Sequence, residues 1–301
     1  MIIDRGNIKL SPDEYDNYIS INGEDFLLKY LNPKKPFNKG ASSNIFLLND
    51  PTGETEDRVI KICKTPYVLR TRDRNIRRFE REVKAFKLVK RNGLDGVIKY
   101  FSNGQINILD QNYLYIILEK AESDLSSYLT DNHFDFTNNQ RLSFCLNILN
   151  NLKQLHDIGI YHRDIKHDNI LCVNDEFKIG DLGLIEFQTR DFEMDYPSEK
   201  IGPIGWLSPE ATNKMLSDNK CNIAYDCEID SKSDIFQLGK LFWYIFQGNL
   251  PVGQLVETDN QFGDADIFNV IFSMLQYDKN RRPTIPVLNA NIEPIKQRLI
   301  V

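Results

Sequence analysis

No CxxC pair occurs among the five Cys of this sequence, at 63, 145, 172, 221 and 227. An odd number of Cys without metal-ligand spacing argues against a disulfide framework and reads as reduced thiols in a cytosol. Cys221 and Cys227 lie close together, but no His or second Cys pair joins them. No run approaches the ~18 apolar residues that a membrane span needs. The start, MIIDRGNIKLSPDEYD, turns acidic too soon for a secretory signal or a transit peptide. Positive charge is not in excess: the formal net charge is -6, which gives no electrostatic reason to expect a nucleic-acid partner. Internal repeats and low-complexity linkers are also missing. What is left is a chain of 301 residues with an ordinary 41% apolar content, long enough for one large domain or two small ones.

The first part of the chain reads as strands. SSNIFLLN and DRVIKICK are short apolar runs separated by the turn-rich DPTGETED. Ile76, Phe79, Val83, Phe86 and Val89 then recur at three- and four-residue steps, which predicts an amphipathic helix. INILDQNYLYIILE predicts two strands around a turn at Asp110–Asn112. After Lys120 the pattern becomes helical. Leu142, Leu146, Leu149, Leu152 and Leu155 mark one helix face, with Thr137 placed as its N-cap. NILCVNDEFKIGDLG predicts a tight hairpin with Asn174 and Asp175 at its turn. SDIFQLGKLFWYIFQG predicts a long helix ended by Gly248, and two more helices follow within 265–278 and 285–300. A small β-rich half thus precedes a larger helical half, with a connection near 119–124.

The stretch GIYHRDIKHDNIL combines charge and apolar flanks in an unusual way. His162, Arg163, Asp164, Lys166 and Asn169 sit in a segment whose neighbours want burial. Desolvating an uncompensated ion costs several kcal/mol, so the stretch is either a polar knot or a site. A loop carboxylate, an amide five residues later and a second carboxylate after a hairpin, Asp181, can converge on one point. Asp and Asn oxygens suit a hard cation such as Mg²⁺. Asp164, if kept off the metal, could accept a proton from a hydroxyl, and Lys166 could neutralise a phosphoryl group in transfer.

HRDIKHDN, then DLG, then SPE at 208–210 resemble a eukaryotic-type (Hanks-type) Ser/Thr protein kinase, and the likeness extends over roughly residues 25–295. It implies an α+β bilobal fold: a small β-rich N-lobe with one main helix over 25–120, a larger mostly α-helical C-lobe over 121–301, and residues 1–24 as an N-terminal extension. It implies phosphoryl transfer from ATP with Mg²⁺. By resemblance, Asp164 is the catalytic base, Lys166 contacts the γ-phosphate, and Lys61 of VIKICK holds the α- and β-phosphates, ion-paired to Glu82. Asn169 and Asp181 would hold Mg²⁺. Phe37, Gly40, Ile45, Val59 and Leu171 would enclose the adenine nucleotide, with Leu118 as gatekeeper and backbone of the 119–121 segment, Glu119 and Ala121, binding the base. His162, Leu182 and Phe86 would stack as an apolar spine. Asp234 would brace the catalytic loop and Arg282 would pair with Glu210. Lys two residues after the catalytic Asp resembles the Ser/Thr branch.

Three departures from that family stand out. The Gly-rich loop is reduced to NKGASSNI, in which Asn38 and Ser43 replace outer glycines and Gly40 remains. Pro203 stands where most Ser/Thr members carry a Thr that hydrogen-bonds the catalytic Asp; Pro has neither hydroxyl nor N–H. The link from 211 to 231 is long and reads as a surface insertion that a regulatory partner could use. Arg163, beside the catalytic Asp, calls for an anion in the 181–210 segment. Glu199 is the expected substitute for phosphate there, with Ser198, Thr189 and Tyr196 as phosphorylation sites. The basic residues of 70–91 read as a solvated helix face. Asp124 serves either a ribose or a helix cap, and Cys63 belongs to the core. The expected activity is a cytoplasmic protein Ser/Thr kinase acting on protein substrates and on itself, without nucleic-acid or membrane partners. A pseudokinase scaffold is the alternative. With only ~25 residues before the fold, regulation is expected from the activation segment, the insertion, the N-terminal tail or partners.

Overall fold

The computed structural model describes residues 1–32, 42–53, 56–69, 73–132, 136–189, 195–196, 198–217 and 225–300. The chain divides into two compact units, Met1–Gly93 with Ile98–Lys120, and Leu94–Val97 with Ala121–Val301.

The first unit contains β1 (Ile2–Asp4), β2 (Asn7–Lys9), β3 (Tyr18–Ile21), β4 (Glu24–Lys29), β5 (Ser43–Asn49), β6 (Arg58–Cys63), the helix α1 (Arg74–Arg91), β7 (Tyr100–Ile108) and β8 (Gln111–Glu119). Six strands form one antiparallel sheet in the order β3-β4-β5-β6-β8-β7. Two-residue turns close its β3–β4 and β7–β8 hairpins. Asn22-Gly23 and Leu109-Asp110 all have positive φ, the geometry that matches the right-handed strand twist. The turn expected at Asp110–Asn112 therefore falls one residue earlier. Gln111 and Asn112 continue the ladder opposite Ile108 and Asn107, because burying Ile106, Ile108, Tyr113 and Tyr115 on one face fixes the register.

Residues 1–24 share this core. Ile8, Ile19 and Ile21 pack with Phe26, Leu28, Phe46 and Ile60. The amide of Asn44 holds the β1–β2 hairpin down: it accepts from the Ile8 N–H at 3.1 Å and donates to the Gly6 carbonyl at 2.8 Å. Helix α1 begins at Asp73, whose carboxylate caps the N–H groups of Asn75 and Ile76. Its face is wider than predicted. Ile76, Phe79, Phe86 and Val89 are buried as expected, Val83 is only half-buried, and Arg81 and Glu82 are buried with them. So the reading of the basic run as a solvated face holds for Arg77 and Arg91 and fails at Arg81.

The second unit contains β9 (Ser123–Asp124), α2 (Leu125–Asn132), α3 (Asn138–Asp157), β10 (Ile160–Tyr161), β11 (Ile170–Val173), β12 (Glu176–Ile179), β13 (Glu186–Phe187), α4 (Pro209–Leu216), α5 (Ser231–Gln247), α6 (Ala265–Met274) and α7 (Ile285–Ile300). Thr137 closes a reciprocal capping box with Gln140 at the start of α3, a motif worth about 1 kcal/mol. Leu149, Leu152 and Leu155 of α3, Leu238, Leu241 and Phe242 of α5, and Leu288 and Ile292 of α7 are all buried, and α3 packs against both of the other helices. Asn174 and Asp175 form the β11–β12 turn with positive φ, as predicted, and α5 ends on Gly248 at φ 81°. Asp124 caps α2 through the Ser127 N–H at 2.7 Å, which favours the capping role left open above. Cys63 is buried in the first unit, and burial pushes its thiol up to about 11. Among the described residues no helix is long and apolar enough to cross a membrane.

Candidate active site

In the first unit, strand register sets one ion pair. Lys61 lies on β6 opposite Ile45 of β5 and Ile116 of β8. Its amine would be stranded there without an anion. Glu82, one residue after Arg81 on α1, supplies it: Lys61 Nζ donates to Glu82 Oε1 at 2.7 Å, with both side chains under 8% exposed. A buried amine and carboxylate this close hold each other charged. Val59 and Ile45 belong to the same two strands, and Leu118 is buried on β8 opposite Val59. The Glu119 N–H donates to the Lys99 carbonyl at 2.8 Å. Phe86 stacks on Tyr100 with ring centroids 6.0 Å apart. Phe37, Asn38 and Gly40 lie outside the described residues.

In the second unit, the segment from Ile160 to Ile170 is pinned from α5. Asp234, fully buried, accepts the His162 N–H at 2.8 Å and the Arg163 N–H at 2.7 Å, and its Oδ2 lies 2.9 Å from His156 Nε2. These contacts match the bracing role expected of Asp234. They hold Arg163 at φ 65°, an uncommon conformation for a non-glycine residue. The next residue, Asp164, is buried. Its Oδ2 accepts from Asn169 Nδ2 at 2.8 Å and lies 3.2 Å from Lys166 Nζ. Its Oδ1 is buried and has no hydrogen-bond partner among the described residues. Burial raises the Asp164 carboxyl above the usual carboxylate range; Lys166 and His162 pull it back, Asp181 adds to the rise, and the Asn169 bond lowers it.

Asn169 donates through Nδ2 to both the backbone carbonyl and the carboxylate of Asp164, which leaves its Oδ1 as the remaining oxygen. The Gly180 N–H donates to the Asn169 carbonyl at 2.8 Å, so Asp181 follows immediately beyond the paired strands. Asp181 takes a left-handed φ of 41° and accepts the Gly183 N–H at 3.1 Å. The site thus offers one amide oxygen and one carboxylate. Mg²⁺ keeps several waters and uses one or two carboxylates with substrate phosphates, so this hard oxygen set fits it. The lack of any cluster of three His, Cys, Asp or Glu among the described residues is compatible with that sparse ligation. His162 and Leu182 are buried, and Leu171 lies on β11 with its side chain against Gly180.

Arg163 corrects one expectation. Its guanidinium donates to Glu186, to Asp195 at 2.5 Å and to the Leu184 carbonyl at 2.8 Å. Lys214 stands 3.6 Å from the same Asp195 carboxylate. Glu199 instead accepts the Tyr196 N–H at 3.0 Å in a local turn. The Ser198 hydroxyl donates to the Ser217 carbonyl. Several acids are spaced through 181–199, so sequence alone could not choose Asp195 among them. Further along, Arg282 and Glu210 pair as expected, at 2.6 and 2.9 Å. The far end of the 211–231 stretch is tied by Lys279, which reaches Asp226 and Asp230 at 3.0 Å. Residues 218–224 of it lie outside the description.

The family description "Protein kinase domain" matches residues 39–293. The chain belongs to the protein kinase family. Its two units carry the α+β kinase fold. Among curated relatives, Dual specificity protein kinase TTK of Mus musculus is 23% identical over 239 residues, 79% of this chain and 26% of that protein. Tyrosine-protein kinase hopscotch of Drosophila melanogaster is 35% identical over 141 residues, 42% of this chain and 11% of that protein. Dual specificity protein kinase Ttk of Danio rerio is 25% identical over 158 residues, 51% of this chain and 16% of that protein. The chain therefore spans between about a tenth and a quarter of the length of these kinases.

Proposed function

We propose that this kinase domain transfers the γ-phosphoryl group of ATP to Ser and Thr hydroxyls of protein substrates, its own chain included. The observation that carries the reading is Asp164 Oδ1, a buried carboxylate oxygen with no partner among the described residues. It is poised to accept a hydroxyl proton as the new P–O bond forms. Lys166, already beside Asp164, offers positive charge to the group in transfer. Asn169 Oδ1 and the Asp181 carboxylate would hold Mg²⁺, which when bound shields the phosphate oxygens from the incoming nucleophile. Lys61, kept charged by Glu82, would bind the α- and β-phosphates. Ile45, Val59 and Leu171 would face the adenine, and backbone at Glu119 and Ala121 would bind its edge. A cytoplasmic location and a regulatory partner at 211–231 belong to the same proposal.

Lys166 two residues after Asp164 favours Ser and Thr as acceptors. A dual-specificity reading that includes Tyr draws on Pro203, which lacks the hydroxyl expected there, and on the names of two relatives. The test is to incubate the purified protein with ATP and Mg²⁺, follow intact mass, and then offer matched peptides with Ser, Thr or Tyr at one position. Phosphate-sized mass steps with Ser and Thr peptides modified first is the expected result. Equal Tyr modification would replace the acceptor assignment. No transfer to any acceptor, with ATP-dependent thermal stabilisation retained, would mean a nucleotide-binding scaffold.

The anion demanded by Arg163 is built in, at Asp195 with Glu186. Activity is therefore expected without phosphorylation of the 181–210 segment. Phosphatase treatment and Glu199→Ala should leave turnover within about twofold, whereas Asp195→Ala should lower kcat roughly tenfold by releasing the segment. Dependence on Ser198 phosphate, read by phosphatase sensitivity, would contradict this.

A further inference from the structure

Gln237 has no place in the reading above, and it is a polar amide in the middle of an apolar helix. It lies on α5, one turn after Asp234, and is 2% exposed. Its Oε1 accepts the Ile165 N–H at 2.9 Å, and its Nε2 donates to the Arg163 carbonyl at 3.1 Å. These are the backbone groups immediately before and after Asp164. One planar amide thus brackets the residue that carries the unpartnered oxygen. Asp234 takes the N–H groups of His162 and Arg163, so α5 holds four backbone groups within four residues.

The surroundings show why the amide is needed. Gly202 passes so close that a Cβ there would stand 3.3 Å from the Arg163 oxygen and 3.6 Å from Gln237 Nε2, and its φ is +96°. The following residue is Pro203, which has no N–H or hydroxyl to donate. The segment thus reaches the catalytic loop and brings it no donor from Pro203. A buried carbonyl or N–H left unpaired costs about 1–3 kcal/mol, so the loop would shift to find partners. Trp206, three residues on, packs edge-on against His167 at 5.2 Å, and His167 in turn lies 4.6 Å from the Tyr244 ring of α5. Those ring contacts lie on the far side of the loop. The Asp164 N–H donates to His162 Nδ1 at 3.2 Å and its carbonyl accepts from Asn169 Nδ2 at 2.8 Å, while Gln237 holds the backbone groups on either side.

We propose that Gln237 is a positioning residue: its side-chain amide holds the backbone immediately before and after Asp164 and hence sets the direction of Oδ1. The proposal rests on the phosphoryl-transfer reading. The signal in the sequence is a lone Gln three residues beyond Asp234, on the same helix face.

The test compares wild type with Gln237→Met, which keeps length and bulk and removes both hydrogen bonds, and with Gln237→Glu, which keeps an acceptor for Ile165 and loses the donor to Arg163. Each is followed by steady-state kinetics, thermal melting, and amide hydrogen exchange of the 160–168 peptide. The expected result is a kcat about 10- to 100-fold lower in Gln237→Met, with the KM for ATP within about twofold and faster exchange confined to 160–168. Gln237→Glu should also lose kcat, because the Arg163 carbonyl would face a second oxygen. A folded Gln237→Met with wild-type kcat and wild-type exchange overturns the proposal. So does a kcat loss that merely tracks the fraction unfolded. A wild-type protein that transfers no phosphate removes the phosphoryl-transfer reading and this inference together, whereas an active wild type with an equally active Gln237→Met removes the inference alone.

Discussion

Asp164→Asn is expected to lower kcat by about 10²- to 10⁴-fold and, at neutral pH, to raise the melting temperature. The two effects share one cause. The carboxylate is buried with one oxygen unpartnered, and burial raises its proton affinity despite Lys166 and His162. For an acid whose folded-state pKa lies above its unfolded value, the stabilising contribution belongs to the protonated form. That contribution is complete below the ordinary Asp value of about 3.9 and is lost as pH rises through the folded value. At pH 7 the wild type therefore carries an ionised group that the fold disfavours. Asn removes the charge at every pH, so its stability advantage should be present at pH 7 and shrink toward pH 4. Catalysis moves the other way, since Asn cannot take the proton. Thermal melts of both proteins across that range, with kcat measured alongside, check the pair of signs. A lower melting temperature for Asn at pH 7 would show that Lys166 and Asn169 more than offset the burial of the charge.

Arg282→Ala is expected to destabilise the fold by about 3–5 kcal/mol at neutral pH, because it strands a buried carboxylate. Arg282 spends all five of its N–H donors: two on Glu210, and one each on the carbonyls of Gln276, Lys232 and Tyr277. Its guanidinium also sits 4.9 Å from the centre of the Phe236 ring. Burial alone would raise the Glu210 carboxyl; the Arg282 bonds and the Ser233 hydroxyl outweigh it and hold the carboxyl below its ordinary range. For such a group the stabilisation is present above the unfolded value and is lost as pH falls through the folded one. The deficit of Arg282→Ala should therefore shrink in acid, where the stranded Glu210 carboxyl of the variant takes up a proton and the wild-type pair begins to lose its advantage. Arg282→Lys should recover little, since one ammonium cannot reproduce a planar fork with five fixed donors. Denaturation at pH 7 and at pH 4 measures this, and an equal loss at both would mean that packing against Phe236, and not the charge pair, carries the effect.

Much of this kinase domain was legible in the residues themselves. The short apolar runs of β5 and β6, the three- and four-residue steps of α1 and α3, Thr137 as a cap and Asn174-Asp175 as a turn all follow from local preference, where each residue's own backbone energetics decide. The identity of the candidate site residues was legible for a related reason. Asp164, Lys166, Asn169 and Asp181 are polar groups in segments that want burial, which makes them conspicuous, and the ordered motifs tie them to Lys61 and Glu82. Long-range pairing decided the remainder. Arg81 is buried and Val83 half-exposed because the packing surface around α1 is wider than a heptad stripe, which no periodicity reveals. Asp195 meets Arg163 where Glu199 was expected, beside Lys214 of α4 and next to Glu186, whose strand β13 pairs with β10; these partners lie outside the stretch around Asp195 and no local pattern announces them. Gln237 reads as an ordinary helix residue until α5 is laid against the backbone on both sides of Asp164. The sequence by itself determined which groups could do phosphoryl chemistry, since that depends on residue type and spacing. The tertiary structure decided which of them are held, and by what, since partners dozens of residues apart meet only when the core that brings them together has formed.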